Sequence, residues 1–483
     1  MNALILAAGD GTRLLPLTMD KPKVMIKIWS VPILERLLFS LKEAGIKRAV
    51  IVVGYRSEII INYFGNQWRG IEIVYKKVDY YEDGILSSAV MGEDAINERF
   101  IFLCGDTILE PETIKRAIEM QGDLVVGVRN ERIEESVGAL VGEDNRISNI
   151  GMQKEMKEWN RVVTGIAVCE PSFLKGVRSC VDSGNLDRPS AMQWVIDQGY
   201  DVRAFDMTDD QWLEMDDHED LKRAGKEIFD NAWRKRFSAA DINIFKRIFN
   251  LPISLPLTKL VSKTNLKPYH LTLISLVFAL LACASFIFGY FVIGGIFSYA
   301  CAMADAVDGK ISRLKLLSSK GGSFFDSVID RLSEMVIVGG LTYGVYMQTT
   351  ELLMFLLGFF AILGWLGRFY LKELFIDKFG LATWKELKMS SIEIVGHRDI
   401  NFFIIMISCF AGHPIIPLLW MAVSGNFLSV FNLMKYFGVI ARVSSMKTEK
   451  EWLPLMEGGT TEIIERFTPN SIEVNRADMK SYN

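Results

Sequence analysis

The sequence predicts two unlike halves: a doubly wound α/β domain over residues 1–228, then an all-α bundle of six membrane spans over residues 269–446. Three observations carry this reading. Residues 1–228 alternate short apolar runs with amphipathic stretches, the pattern of a mainly parallel sheet wrapped by helices. Beyond Pro268, apolar segments close to the length of a membrane span follow one another. The chain is 50% hydrophobic yet 23% charged over 483 residues, an average that a polar part joined to an apolar part explains.

In the first half the candidate strands are Ala3–Ala8, Arg48–Val53, Ile71–Tyr75, Phe100–Cys104 and Asp123–Val128. Helical patterns such as Pro32–Ala44 and Glu58–Phe64 lie between them. In such a sheet, ligands sit at the carboxyl ends of strands, near the point where strand order reverses.

Residues 229–268 form a linker. Over 219–250, Lys222, Arg223, Lys226, Arg234, Lys235, Arg236, Lys246 and Arg247 are interleaved with Phe229, Trp233, Phe237, Ile244 and Phe245. This is the make-up of an interfacial helix on an anionic leaflet, and upstream of residue 238 equally of a solvated linker helix. Pro252, Pro256 and Pro268 then break the chain. Six apolar segments follow, at 270–288, 291–308, 323–346, 351–371, 399–412 and 414–436. The tail, 447–483, is polar and without usable periodicity.

Charge placement orients the spans. Loops on one side carry Lys310, Arg313, Lys315, Lys320, Arg368, Lys372, Lys378, Lys385, Lys388, Arg398, Arg442, Lys447 and Lys450. Loops on the other side, around 289–290, 348–350 and 412–417, carry neither Lys nor Arg. The positive-inside rule places both termini in the cytoplasm of a multi-pass cell-membrane protein. No signal peptide is expected before the first strand. A net charge of −4 with no basic stripe argues against a nucleic-acid partner. The six scattered cysteines read as buried, reduced thiols.

The chemistry concentrates at residues 305–330. Asp305 and Asp308 are three apart and Asp326 and Asp330 four apart, so on helices each pair shares a face, one turn apart. Four carboxylates at the edge of hydrocarbon would repel one another without a counter-charge. A divalent cation on carboxylate oxygens, with substrate phosphates completing its shell, is the natural solution. Gly309 and Gly322 leave room for a ligand, and Arg313 offers a planar donor for phosphate. Asp305-x2-Asp308-Gly309-x2-Ser312-Arg313-x8-Gly322-x3-Asp326-x3-Asp330 resembles the CDP-alcohol phosphotransferase signature, with Ser312 where the pattern has alanine. The resemblance implies metal binding by Asp305, Asp308 and Asp326. It gives Asp330 a share of the second metal or the part of base toward the acceptor hydroxyl. Asn265-Leu-Lys-Pro-Tyr-His-Leu-Thr272 is similar to the polar lead-in to that family's first span.

The first strand runs into Ala8-Gly9-Asp10-Gly11-Thr12-Arg13, a glycine-rich turn whose N–H groups can wrap a triphosphate. With Pro16, Thr18, Pro22 and Lys23 following, the stretch resembles the nucleotidyltransferase signature. That resemblance implies nucleotide binding by Ala8, Gly9, Gly11, Thr12, Arg13 and Lys23. Arg13 and Lys23 would neutralise charge as an attacking phosphate displaces pyrophosphate. Asp106, in Cys-Gly-Asp, and Asp216, in Trp212-Leu-Glu214-Met-Asp216, match the family's metal positions, with Glu214 as helper. Asp83-Gly84-Ile-Leu-Ser87-Ser88 is similar to the segment that reads base and sugar. Thr164-Gly165 stands where relatives build the acceptor wall. His218 reads as a polar loop residue rather than a ligand.

Among the bases near the spans, Arg398 is the first candidate for an acceptor phosphate, followed by Arg368 and Lys388. Together the halves resemble the bifunctional inositol-1-phosphate cytidylyltransferase/CDP-inositol phosphotransferase family. The resemblance implies CTP, inositol 1-phosphate and CDP-inositol as ligands, Mg2+ or Mn2+ at both sites, and a tendency to form homodimers. Two readings stay open beside it: a lipid alcohol as acceptor, and a membrane protein whose first domain only binds.

Overall fold

The structure, a computed structural model, describes residues 1–78, 84–131, 136–234, 246–379 and 397–444. It divides into two compact units: Met1–Arg236 with Leu314–Leu316, and Phe237–Arg313 with Leu317–Asn483.

The first unit is built on a ten-stranded sheet. At its centre β1 (Asn2–Ala7) is followed by a two-residue ribbon, β2 (Lys27–Ile28) with β3 (Val31–Pro32), and then by β4 (Arg48–Val53). The short β5 (Gln67–Trp68) borders β6 (Ile71–Lys77) at one edge, and β7 (Phe100–Cys104) returns to the other side of β1. A second ribbon, β8 (Thr107–Leu109), pairs with β14 (Trp212–Glu214). The remaining strands are β9 (Leu124–Arg129), β10 (Val137–Val141), β11 (Ile147–Met152), β12 (Arg161–Cys169) and β13 (Val202–Asp206). Strands β7, β1, β4 and β6 run parallel. Beyond β7 the sheet turns: β12 pairs antiparallel with both β7 and β9, and β10 with β11 and β12. The expectation of a mainly parallel sheet therefore holds for the centre and for the β9–β13 pair, and not for the pairings of β10, β11 and β12. Short connections replace crossover helices between β10, β11 and β12, and short connections join antiparallel neighbours.

The period-two alternation of buried strands builds two cores. Ala3, Ile5 and Ala7 of β1 face one, Leu4 and Leu6 the other. Helices α1 (Ile33–Glu43) and α2 (Ser57–Phe64) cover the first face, α3 (Ile85–Val90) the second, and α4 (Pro111–Glu119) again the first. Helices α5 (Ser172–Asp182) and α6 (Arg188–Asp197) complete the second face, and α7 (His218–Arg234) follows β14. Leu34, Leu37, Leu38 and Leu41 of α1 recur on one stripe and are fully buried. Because β4 and β7 flank β1 on opposite sides, the carboxyl ends of β1 and β7 mark the switch point.

The second unit is helical: α8 (Leu251–Ser262), α9 (Pro268–Ile287), α10 (Phe291–Leu314), α11 (Lys320–Thr349), α12 (Leu353–Phe379), α13 (Arg398–Phe410) and α14 (Ile416–Ser444). Helices α9 to α14 overlie the six predicted apolar segments in order, and four of them (α9, α10, α12, α14) are long and apolar enough to cross a membrane. Helix α11 bears Asp326, Asp330, Arg331 and Glu334 in its first half. Helix α13 has 13 residues, about 20 Å of rise against a hydrocarbon core of about 30 Å. Contact between helices is close where glycines allow it. A Cβ on Gly364 would stand 2.5 Å from the backbone nitrogen of Asn426. Asn426 Nδ2 donates to Phe360 O at 2.7 Å and Ser429 Oγ to Gly364 O at 2.6 Å, binding α14 to α12.

The proline expectation needs correction. Pro252 lies in the first turn of α8, where no N–H is required, and Pro256 is accepted inside the same helix. Only Pro268 marks a boundary, as the first residue of α9. Of the predicted interfacial stretch, 219–234 is α7 or its start, and residues 235–245 lie outside the described residues, as does the tail. No disulfide joins the six cysteines; four are buried and Cys104 and Cys283 half-buried.

Candidate active sites

In the first unit the site forms at the switch point. Gly11 adopts φ +69°, and a Cβ there would meet the Lys23 Cβ at 2.8 Å, so only glycine fits this turn. Thr18 Oγ1 donates to Gly11 O at 2.9 Å and closes the loop onto itself. On the neighbouring strand, Gly105 N donates to Leu6 O at 2.8 Å, which carries the sheet ladder to the residue before Asp106. Lys23, from a 3-10 turn, then reaches across: its Nζ lies 2.5 Å from Asp106 Oδ2 and 2.8 Å from Asp216 Oδ1. Burial alone would lower the Lys23 pKa, but Asp106 and Asp216 outweigh it and raise it above the ordinary lysine value.

Asp216 is aimed by a capping box at the start of α7. Asp220 Oδ2 accepts from the N–H of Asp216 and Asp217 at 3.0 and 3.2 Å, and Asp217 Oδ1 accepts from Glu219 and Asp220 at 2.7 and 2.9 Å. Those backbone donors hold the Asp217 carboxyl below its usual pKa. His218, which sequence reasoning gave no part, bonds through Nε2 to Leu15 O at 2.9 Å and so ties the α7 start to the glycine loop. Arg13 is exposed in the turn Thr12–Leu14. Ala8 is buried at the end of β1, Gly9 and Thr12 are exposed, and Gly84 precedes α3 with φ +96°. Asp83 lies outside the described residues.

In the second unit, Asp305 and Asp308 fall on α10 and Asp326 and Asp330 on α11, so both predicted pairs are helical. Carboxylate oxygens of Asp305, Asp326 and Asp330 all lie within 4.8 Å of one another. Asp308 stands apart from that trio: it is 5% exposed and accepts the hydroxyl hydrogen of Thr272, in α9. Into the trio comes Arg398, with a side chain 10% exposed. Its Nη1 lies 2.5 Å from Asp330 Oδ1 and 3.1 Å from Asp305 Oδ2. Gly309 and Arg313 are half-buried on α10. The Gly322 N–H donates to Ser319 Oγ at 3.0 Å, capping α11. Arg368 is half-buried on α12, where it shares a small cavity with Asn401 of α13; Lys388 lies outside the described residues.

Both sites lie within regions that match known protein families. The family profile described as Nucleotidyl transferase matches residues 2–231, and that described as CDP-alcohol phosphatidyltransferase matches residues 265–428. A Bifunctional IPC transferase and DIPP synthase of Archaeoglobus fulgidus is 28% identical over 414 residues, 85% of this chain and 78% of the relative. The protein of the same name from Thermococcus kodakarensis is 24% identical over 92% of this chain and 99% of its own. The UTP–glucose-1-phosphate uridylyltransferase AglF of Haloferax volcanii is 34% identical over 36% of this chain and 73% of its own.

The chain belongs to the bifunctional nucleotidyltransferase/CDP-alcohol phosphotransferase family.

It is an enzyme of the nucleotidyltransferase and CDP-alcohol phosphotransferase classes, and both families generally work with a divalent metal. The residues fit that requirement. Three convergent carboxylates in the second unit and two in the first present hard oxygen donors of the kind Mg2+ and Mn2+ prefer. Two side chains in this bifunctional enzyme's second site escaped the sequence reading. Glu334, 3% exposed, lies with Oε1 3.5 Å from Arg398 Nε and Oε2 2.5 Å from Arg331 Nη1. Arg331 in turn lies over the Phe369 ring, 4.4 Å from its centroid. The available signal was an acid and a base beside Asp330 at the mouth of an apolar run, where idle charge is costly.

Proposed function

We propose that the enzyme makes a phosphorylated di-myo-inositol phosphate in two steps. In the first, a phosphate oxygen of inositol 1-phosphate attacks the α-phosphorus of CTP. The α–β P–O bond breaks, and CDP-inositol and pyrophosphate result. Lys23 and Arg13 neutralise the charge that builds on the phosphates, while Ala8, Gly9, Gly11, Thr12 and Gly84 cradle the nucleotide. Asp106 and Asp216 would hold Mg2+ or Mn2+, with Lys23 already drawn to the same two carboxylates.

In the second step a hydroxyl of another inositol 1-phosphate attacks the β-phosphorus of CDP-inositol. The bond from that phosphorus to the bridging oxygen breaks, CMP leaves, and the hydroxyl proton passes to Asp330. Asp305, Asp308, Asp326 and Asp330 would hold Mg2+ or Mn2+. Such an ion supplies charge neutralisation for the diphosphate and the leaving CMP. Gly309, Arg313 and Gly322 border the CDP moiety, and Arg398, Arg368 and Lys388 receive the acceptor phosphate. Helices α9 to α14 form six spans with both termini and both sites cytoplasmic, which the one-sided distribution of Lys and Arg supports.

The observation that carries this reading is the arginine among the aspartates. A phosphorylated polyol needs a base such as Arg398 beside Asp305, Asp326 and Asp330, whereas a lipid alcohol does not. The test is detergent-solubilised enzyme with CTP, Mg2+ and inositol 1-phosphate, followed by pyrophosphate release, CMP release and phosphorus NMR. A new phosphodiester with both by-products, and no added lipid, supports the relay. CDP-inositol accumulating without CMP would transfer the second step to a lipid acceptor.

A further inference from the structure

Two buried polar atoms face each other in the second site without a hydrogen bond. Arg398 Nε and Glu334 Oε1 are 3.5 Å apart, within ion-pair range yet too long for a bond. Both side chains are enclosed, at 10% and 4% exposure. A buried donor and acceptor left open opposite each other is uncommon, because each forfeits a bond it could have made with water. The guanidinium is drawn to the other side, where its Nη1 is shared by Asp330 and Asp305. Its Nη2 has, among the described residues, only the weak acceptor Cys301 Sγ at 3.5 Å. Glu334 is itself fixed: Arg331 holds its second oxygen at 2.5 Å, on the same helix.

We propose that Glu334 is a positioning residue for Arg398, the carboxylate that sets the orientation of its guanidinium for the acceptor phosphate. With no competing cation, Arg398 serves as the counter-charge of Asp305 and Asp330. Glu334 faces the Nε side of the guanidinium at 3.5 Å and orients it, so that Nη2, with only the weak acceptor Cys301 Sγ among the described residues, is the edge offered to the acceptor phosphate. Glu334 acts only through Arg398 and touches neither substrate. This inference rests on the reading of Arg398 as the acceptor-phosphate group.

The experiment is a double-mutant cycle on the full-length enzyme in detergent, with CDP-inositol and inositol 1-phosphate each varied in turn. Glu334→Gln removes the charge at nearly constant shape, and Glu334→Asp keeps the charge but withdraws it by one methylene. Both are expected to raise the KM for inositol 1-phosphate about tenfold, the scale of a weakened charged hydrogen bond. The KM for CDP-inositol should stay within about twofold, the width of ordinary context effects. In an Arg398→Gln background, which itself raises the acceptor KM, the Glu334 changes should add nothing. Additive effects would mean that Glu334 acts independently of Arg398 and would overturn the proposal. So would an unchanged acceptor KM in both Glu334 variants while Arg398→Gln raises it. If Arg398→Gln itself left the acceptor KM unchanged, the parent reading of Arg398 would fall, and the proposal with it. Should Glu334→Gln not fold, Glu334→Asp decides alone.

Discussion

In the first unit the cation at the centre of the site is a lysine brought by a loop; in the second it is an arginine brought by a helix start. Lys23 meets acids 83 and 193 residues away, at the ends of a strand and of a ribbon. Arg398 meets acids on two helices, each of which has a second acid one turn away. A lysine is a compact point charge on a flexible stem and suits a loop that must close on a triphosphate. The planar fork of arginine suits carboxylates whose spacing the helices hold rigid. The first site can therefore be loosened from many places, whereas the second depends on a few.

The strongest way to break this comparison is to delete an acid or a cation from one site and assay both steps. Asp326→Ala or Asp330→Ala should lower CMP release at least about a thousandfold and spare pyrophosphate release, and Lys23→Ala should do the reverse. Loss of both activities in folded protein from either change would end the two-site scheme. Gly11→Ala should come next. It forces a side chain into φ +69° against Lys23, costing about 1–3 kcal/mol of local strain, read as a lowered Tm and a reduced first step. Asp220→Ala removes one half of the capping box behind Asp216. A loss of about 1 kcal/mol in stability is expected, with a first step slowed a few-fold and the second untouched.

The smallest effect is in pH. The folded pKa of Lys23 is raised above the ordinary 10.5, so its charged contacts contribute fully below that value and fade only as pH rises through the folded one. The Tm difference between the native enzyme and Lys23→Met should therefore be constant from about pH 7 to 10 and shrink at more alkaline pH. A difference that already falls at neutral pH would mean that the lysine is not held by Asp106 and Asp216.

The two sites also differ in how far the sequence discloses them. Asp305, Asp308, Asp326 and Asp330 declare themselves by helical spacing inside apolar runs, because a charge in hydrocarbon has few innocent explanations. Even so, spacing does not tell that Asp308 leaves the trio for Thr272, since that depends on which helix lies beside α10. The β1 and β7 strands and their loops are legible from alternation and glycine placement. That Lys23 joins Asp106 to Asp216 is legible only through family resemblance, as no local periodicity links residues so far apart. The antiparallel flank of β10 to β12 was missed because hairpin strands and crossover strands differ in their connections more than in their own composition. Arg331 and Glu334 were missed for a simpler reason: both look like ordinary boundary charges until Arg398 arrives from a distant helix.

Helix α8 has a practical consequence for how the enzyme can be cut. Its hydroxyls turn inward, with Ser254, Thr258 and Ser262 buried, while Ile253, Leu257 and Leu260 face out. Ser254 Oγ accepts from the buried Lys310 at 3.1 Å, and Asn250, just before the helix, donates to Asp399 at 2.8 Å, next to Arg398. A fragment begun at residue 265, where the family match starts, would strip those partners from Lys310 and Asp399. Expression of the membrane half by itself should therefore start upstream of Phe249, whose carbonyl accepts from the Tyr299 hydroxyl at 2.9 Å. The shorter fragment is expected to precipitate on extraction.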